Sequence, residues 1–259
     1  RDTYLSILDV IYKQAAGREE IGRYLEGNPE WGRNFLNRQI GNFYDRFVNI
    51  DDLSPLVKTY EAHTSDTKVK TQLIQRYLFL LTELGRVEEA YDYWQSLYGG
   101  DETPAGGAIQ NGDFKAVDAA APFNWQFFYS PRGGAEVEAE SGLFVFQNSE
   151  KPQLLARQYL ALPEAPAFNL KANVSGRIDE KKGRFEWRLT CFDSGSPWHR
   201  TPITKALMQD GILTETIAAP PQGCKFAALQ LYGLPGEYAD RFNLQIQSIS
   251  LTPTIESTP

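Results

Sequence analysis

The chain has 259 residues, 42% of them hydrophobic and 13% aromatic, which is enough apolar material for two folded domains and excludes a disordered chain. Its 26 basic and 33 acidic residues give a net charge of -7, so we expect no nucleic-acid partner, because no basic surplus exists to neutralise phosphates. No apolar run approaches the about 20 residues of a membrane-spanning helix, and we expect no membrane span in this sequence.

Residues 1–98 repeat apolar side chains at intervals of three and four, which predicts amphipathic helices. Ser54-Pro55 predicts a helix start, because proline suits the first helical turn. Only two of the 15 prolines precede residue 100, as expected where helix interiors exclude proline. We therefore predict a helical domain over residues 1–98.

The last helical pair, residues 69–98, resembles one tetratricopeptide repeat. The residues that match its small, aromatic and apolar positions are Leu81, Ala90, Trp94 and Leu97. Leu78 departs from the family pattern, which prefers a small residue there. A solenoid needs about three repeats, so the resemblance implies the end of a longer array and a protein partner for the helical domain. A plain helical bundle with one chance match is the alternative.

Residues 99–107, GGDETPAGG, form a predicted linker with little that can pack. Beyond the linker the apolar period falls to two. In residues 184–191 this alternation places on one face Phe185, Trp187, Leu189 and Cys191. Similar candidate strands are residues 125–130, 135–140, 143–147, 154–161, 168–174, 212–218, 226–232 and 242–246. Many short strands separated by turns predict a β-sandwich over residues 108–259.

Two segments at the ends of this region, with a tryptophan between them, resemble jelly-roll carbohydrate-binding modules. They are residues 109–114 (IQNGDF), Trp125, and residues 242–253 (FNLQIQSISLTP). The resemblance implies that IQNGDF is the first strand, paired with the last, and that the sandwich binds a glycan. The predicted fold class is thus α then all-β, with a helical, tetratricopeptide-like domain followed by a jelly-roll β-sandwich.

Many such modules hold a structural calcium ion between acids of the first and last strands. Here those positions carry Lys115 and the pair Gln247-Ser248. Calcium takes six to eight oxygen ligands, several usually carboxylate, and an ammonium group would repel it. We expect no metal at that position and no other cofactor.

Two cysteines, Cys191 and Cys224, fall within the predicted sandwich. One even pair in one domain predicts a disulfide and an oxidising, extracytoplasmic location, periplasmic or secreted. Two buried thiols are the alternative, because a free cysteine packs as a small hydrophobic residue.

Catalytic motifs are absent from the sequence. Its two histidines, His63 and His199, fall in different predicted domains, and no GxSxG motif frames a nucleophile. Two well-placed carboxylates would suffice for a glycosidase, so an enzyme acting on polysaccharides ranks third. We expect a non-catalytic protein.

A sugar ring stacks on an exposed aromatic side chain, and the loop of residues 193–200 offers Trp198 beside His199 and Arg200. Tyr129 and Tyr232, at predicted strand ends, are second choices. The alternative for Trp198 is a ring folded back over a sheet edge. The leading hypothesis is a helical region for a protein partner and a sandwich for a glycan, and its rival is a protein–protein scaffold without sugar binding.

Overall fold

The computed structural model describes residues 2–42, 49–99, 107–115, 119–138, 140–192, 194–237 and 241–254. The chain forms two compact units, Arg1–Asp92 and Tyr93–Pro259. The first is helical and the second is a β-sandwich, which confirms the predicted fold class. Most of the predicted linker, residues 100–106, lies outside the described residues.

Six α-helices occur in the described part of the chain: α1 Asp2–Tyr12, α2 Ala15–Glu26, α3 Gly32–Asn42, α4 Ile50–His63, α5 Thr67–Glu83 and α6 Val87–Tyr98. Helix α2 packs on α4, and α3 packs on α5. The side chains of Leu25, Phe35 and Tyr77 are fully buried in this unit. No helix in the described ranges has both the length and the apolar character needed to cross a bilayer.

The predicted start of α4 at Ser54 is wrong. The helix begins at Ile50, because the side chain of Asn49 accepts a hydrogen bond from the backbone N–H of Asp51 at 3.0 Å and caps it. Pro55 consequently lies in the second turn. The proline therefore indicates only that a helix begins nearby, whereas the capping side chain of Asn49 determines its first residue.

Twelve strands are found in the described part of the second unit: β1 Gln126–Phe127, β2 Tyr129–Ser130, β3 Gly133–Glu138, β4 Gly142–Gln147, β5 Gln153–Ala161, β6 Ala167–Ser175, β7 Gly183–Cys191, β8 His199–Ile203, β9 Met208–Gln209, β10 Ile212–Ala218, β11 Phe226–Pro235 and β12 Phe242–Pro253. They pair antiparallel in a five-stranded sheet, β1-β5-β11-β7-β8, and a seven-stranded sheet, β2-β3-β4-β12-β6-β10-β9. The core lies between the two sheets.

The alternation predicted for β7 is confirmed, since Phe185, Trp187 and Leu189 are at most 2% exposed and face the core. Trp125 lies 6.0 Å from Trp187 and 5.3 Å from Phe114 between ring centroids. Aromatic residues from the opening segment and from the five-stranded sheet thus share one core.

Residues 109–114 do not form the predicted strand. Asn111 and Phe114 have φ angles of +50° and +60°, in the left-handed region that interrupts an extended repeat. The segment nevertheless runs beside β12, because Ala108 donates its N–H to the Leu251 carbonyl at 2.9 Å and Gly112 accepts from Ile249 at 2.8 Å. The first and last segments are therefore neighbours, as the resemblance implies, but the first segment is a turn and not a strand.

Candidate ligand-binding face of the sandwich

Trp198 lies at the edge of the five-stranded sheet with its ring partly buried against the sandwich core. Its backbone N–H donates to the Leu189 carbonyl at 2.9 Å, which holds the residue beside β7. Its indole Nε1 is buried and finds no hydrogen-bond acceptor among the described residues. Of the two arrangements left open by the sequence, the ring takes the one folded back over the sheet.

His199 and Arg200 belong to β8 and not to a loop, so that part of the prediction is wrong. β8 is an edge strand, where Pro202 is tolerated because its missing N–H can face away from the ladder. His199 points between the sheets, with Nε2 3.3 Å from Glu215 Oε1. Arg200 is exposed on the opposite face. Trp198, His199 and Arg200 therefore do not form one surface patch.

The face of the five-stranded sheet that points away from the core, called here the outer face, carries a row of planar polar side chains. Antiparallel register aligns one residue from every strand, in the order Gln126, Arg157, Gln230, Arg188 and Arg200. Adjacent strands lie about 4.8 Å apart, so this arginine–glutamine row spans about 19 Å. It consists of guanidinium and amide groups alone.

Hydrogen bonds hold two arginines of the row in place. An Nη of Arg157 donates to Gln126 Oε1 at 2.7 Å, and Nε of Arg188 donates to Glu186 Oε1 at 2.7 Å. Glu186 is only 6% exposed, so its ion pair with Arg188 is partly shielded from water. Side chains fixed in this way lose little conformational freedom when they bind a ligand.

Tyrosine rings flank the row on the same face. The guanidinium carbon of Arg188 lies 4.1 Å from the ring centroid of Tyr232, and that of Arg157 lies 5.0 Å from the ring of Tyr159. These are cation–π contacts, which attract each guanidinium group to the face of its tyrosine ring. Phe123 borders the Tyr159 end of the face, with ring centroids 6.3 Å apart. Tyr232 is half-buried at the centre.

Tyr129 lies on a different surface, the outward side of the seven-stranded sheet. It is 70% exposed and packs edge-on against Phe146, with ring centroids 5.6 Å apart. Gly134 makes this contact possible, because a Cβ there would come within 2.9 Å of the Tyr129 ring. The two predicted tyrosines, Tyr129 and Tyr232, thus face away from each other on opposite sheets.

The position considered for calcium forms a cavity of about 310 Å³, lined among others by Asp113, Lys115, Glu138, Gln247 and Ser248. The ammonium group of Lys115 lies 3.3 Å from the Asp113 carboxylate. Within the described ranges, no group of three or more His, Cys, Asp or Glu side chains is arranged to hold a metal ion.

A disulfide joins Cys191, at the end of β7, to Cys224, just before β11, with a Cα–Cα distance of 5.7 Å. The predicted bond is confirmed. It ties together the two central strands that carry Arg188, Gln230 and Tyr232.

Neither a family model nor a curated protein matches the sequence. Among solved structures, it is similar to a CBM4 structure at 13% identity and a TM-score of 0.38, over 57% of this chain and 100% of the other. It is also similar to TmCBM61 in complex with β-1,4-galactotriose, at 12% identity and a TM-score of 0.34, over 57% of this chain and 94% of the other. A third similar structure is Xylanase10C from Cellvibrio japonicus in complex with xylopentaose, at 11% identity and a TM-score of 0.34, over 51% of this chain and 27% of the other.

All three likenesses are of low identity and low TM-score, so what the protein binds must be inferred from its own side chains. Of the residues on this outer face, Tyr232 and Arg200 were candidates from the sequence, whereas Arg157, Gln230 and Gln126 were not. The one available signal was polar residues at outward positions of alternating strands, as at Arg188. Their alignment depends on strand register, which the alternation does not specify.

Proposed function

We propose that the sandwich is a non-catalytic module that binds a glycan on the outer face of the five-stranded sheet. The observation that carries the proposal is the arginine–glutamine row lying beside Tyr232 and Tyr159. Ligand sites combine apolar surface with a few fixed polar groups. The parts of the tyrosine rings that Arg188 and Arg157 leave exposed supply surface for the C–H face of a sugar, and guanidinium and amide groups supply donors for its oxygens.

The acid content of this face supports binding rather than hydrolysis. A glycosidase of the usual kind needs two carboxyl groups about 5–9.5 Å apart. The five strands of this sheet contain a single acid, Glu186, and its carboxylate is paired with Arg188. A second carboxylate would have to come from outside these strands. Glu186 is therefore assigned the role of orienting Arg188.

The disulfide supports an extracytoplasmic location, periplasmic or secreted. Structural disulfides persist in oxidising compartments and are rare in reducing ones. Extracellular glycans would be accessible to the module there. A protein partner for the helical unit stays a prediction.

The test is a glycan array probed with the intact protein, followed by titration of the best ligand against two tyrosine variants. Tyr232→Ala removes the central stacking surface, and we expect affinity to fall about tenfold or more, since burying one large apolar side chain is worth about 1.5–3 kcal/mol. Tyr129→Ala, on the opposite sheet, is the matched control and should bind as the unaltered protein does.

The result that would contradict the proposal is the reverse pattern, with binding lost in Tyr129→Ala and retained in Tyr232→Ala. An array without any signal would favour the scaffold alternative. Circular dichroism of both variants should match the unaltered protein, so that lost binding is not lost folding.

A further inference from the structure

The five strands that form the outer face carry a strong excess of positive charge. They contain four arginines and one acid: Arg157, Arg184, Arg188, Arg200 and Glu186. The protein as a whole has a net charge of -7, so this face is opposite in sign to the average surface. Resting on the function proposed above, we infer that the glycan bound here is anionic and carries carboxylate or sulfate groups on several sugar units.

Two of the arginines have their full charge available to a ligand. Arg184 and Arg200 are exposed, and the side chain of neither forms a hydrogen bond or ion pair with a described residue. Arg188 is shared, because its Nε is paired with Glu186 and its guanidinium lies on the Tyr232 ring. A neutral ligand would leave the two exposed charges without any function in binding.

The spacing of these charges favours a polymer over a single anion. Arg200 is aligned with Arg188 on the neighbouring strand, about 5 Å away, whereas Arg184 lies four residues along β7, about 13 Å from Arg188. One carboxylate cannot reach all three guanidinium groups. A chain of charged sugars lying across the face would meet each of them in turn.

The chemistry of the guanidinium group suits both acidic functions. Its planar fork donates two parallel hydrogen bonds to a carboxylate or a sulfate, and it stays charged at every physiological pH. The negative remainder of the surface repels a polyanion, which directs it to this face. Stacking of Arg188 on Tyr232 orients one of these forks in advance.

The experiment compares ligands that differ in charge and share a sugar backbone, titrated calorimetrically against the intact protein. Hexagalacturonate is paired with its fully methyl-esterified form, and dextran sulfate is paired with dextran. We expect the charged member of at least one pair to bind more tightly, and its affinity to fall when salt is raised from 50 to about 500 mM, because salt screens exposed charges. The pair that responds identifies carboxylate or sulfate.

Arg200→Gln should weaken binding of the anionic ligand about two- to fivefold, and the double variant Arg184→Gln/Arg200→Gln more. Both residues are exposed and unpaired among the described residues, so folding should not change. Arg132→Gln is the charge-matched control, since Arg132 is exposed in the turn between β2 and β3, two strands of the seven-stranded sheet. It should bind normally.

Equal affinity for the charged and uncharged members, or equal losses in Arg132→Gln and Arg200→Gln, would overturn the anionic inference. Tight binding of a neutral glycan that is lost in Tyr232→Ala would overturn it too, while leaving the proposed function intact. An absence of binding to every charged and neutral glycan on the array would overturn both.

Discussion

Trp198 sits at the end of a loop whose sequence shows no apolar pattern, yet part of its ring packs against the sandwich core. Its indole N–H is buried without an acceptor among the described residues, which is an unfavourable feature of an otherwise stabilising contact. Packing and hydrogen bonding therefore make opposite contributions at this position. Two substitutions separate them.

Trp198→Ala should lower the free energy of unfolding by about 2 kcal/mol, below the about 3–5 kcal/mol typical of a fully buried tryptophan, because the ring is only partly buried. Trp198→Phe keeps most of the packing and removes the unpaired N–H, so the loss should stay under about 1 kcal/mol. Urea unfolding measures both. A change below about 0.5 kcal/mol in Trp198→Ala would show an ordinary surface residue, and the ring would again be a stacking candidate.

Single elements show where sequence patterns suffice and where they do not. Period-two alternation predicted β6 and β7 closely, because both strands have one face buried in the core. β8 was missed because it is short, lies at the sheet edge and contains a proline. The resemblance to jelly-roll modules implied a strand over residues 109–114, and it did not predict the left-handed conformations at Asn111 and Phe114 that interrupt the extended chain.

The candidate site depends on register more than on any one strand. Arg188 and Gln230 are 42 positions apart in the sequence and become neighbours only through the pairing of β7 with β11. Between Leu231 and Tyr232 the register of β11 against β5 shifts, so counting residues from a turn would misalign the rows. The sequence shows that these polar side chains exist, but it does not show that strand pairing brings them together on one face.

The disulfide should matter most to these same two strands. It closes a loop of 33 residues, which chain-entropy reasoning values at about 3–4 kcal/mol of stability. We expect Cys191→Ser/Cys224→Ser to lose a similar amount in guanidinium unfolding of the sandwich. The unaltered protein under reductant should unfold at the same denaturant concentration as this variant. Equal midpoints with and without reductant would show that the bond does not stabilise the fold.

At the scale of the whole molecule, the division between the two units does not follow the change in composition. The composition changes at residues 99–107, whereas the boundary between the compact units falls between Asp92 and Tyr93, inside α6. Trp94, which matches the aromatic position of the tetratricopeptide pattern, donates its indole N–H to the Ala120 carbonyl at 2.8 Å. Its ring also lies 5.9 Å from that of Phe123. The last turns of α6 thus belong to the sandwich unit.

Two truncated chains test this division. A fragment of residues 87–259 keeps α6, whereas a fragment of residues 108–259 keeps only what the composition assigns to the sandwich. The shorter fragment should be less stable by about 3–5 kcal/mol, the typical cost of removing a buried tryptophan, because Trp94 is only 4% exposed. Trp94→Phe in the longer fragment should account for about 1 kcal/mol of this difference through the lost hydrogen bond to Ala120. Equal unfolding midpoints for the two fragments would instead show that the folded sandwich domain begins after the glycine-rich segment.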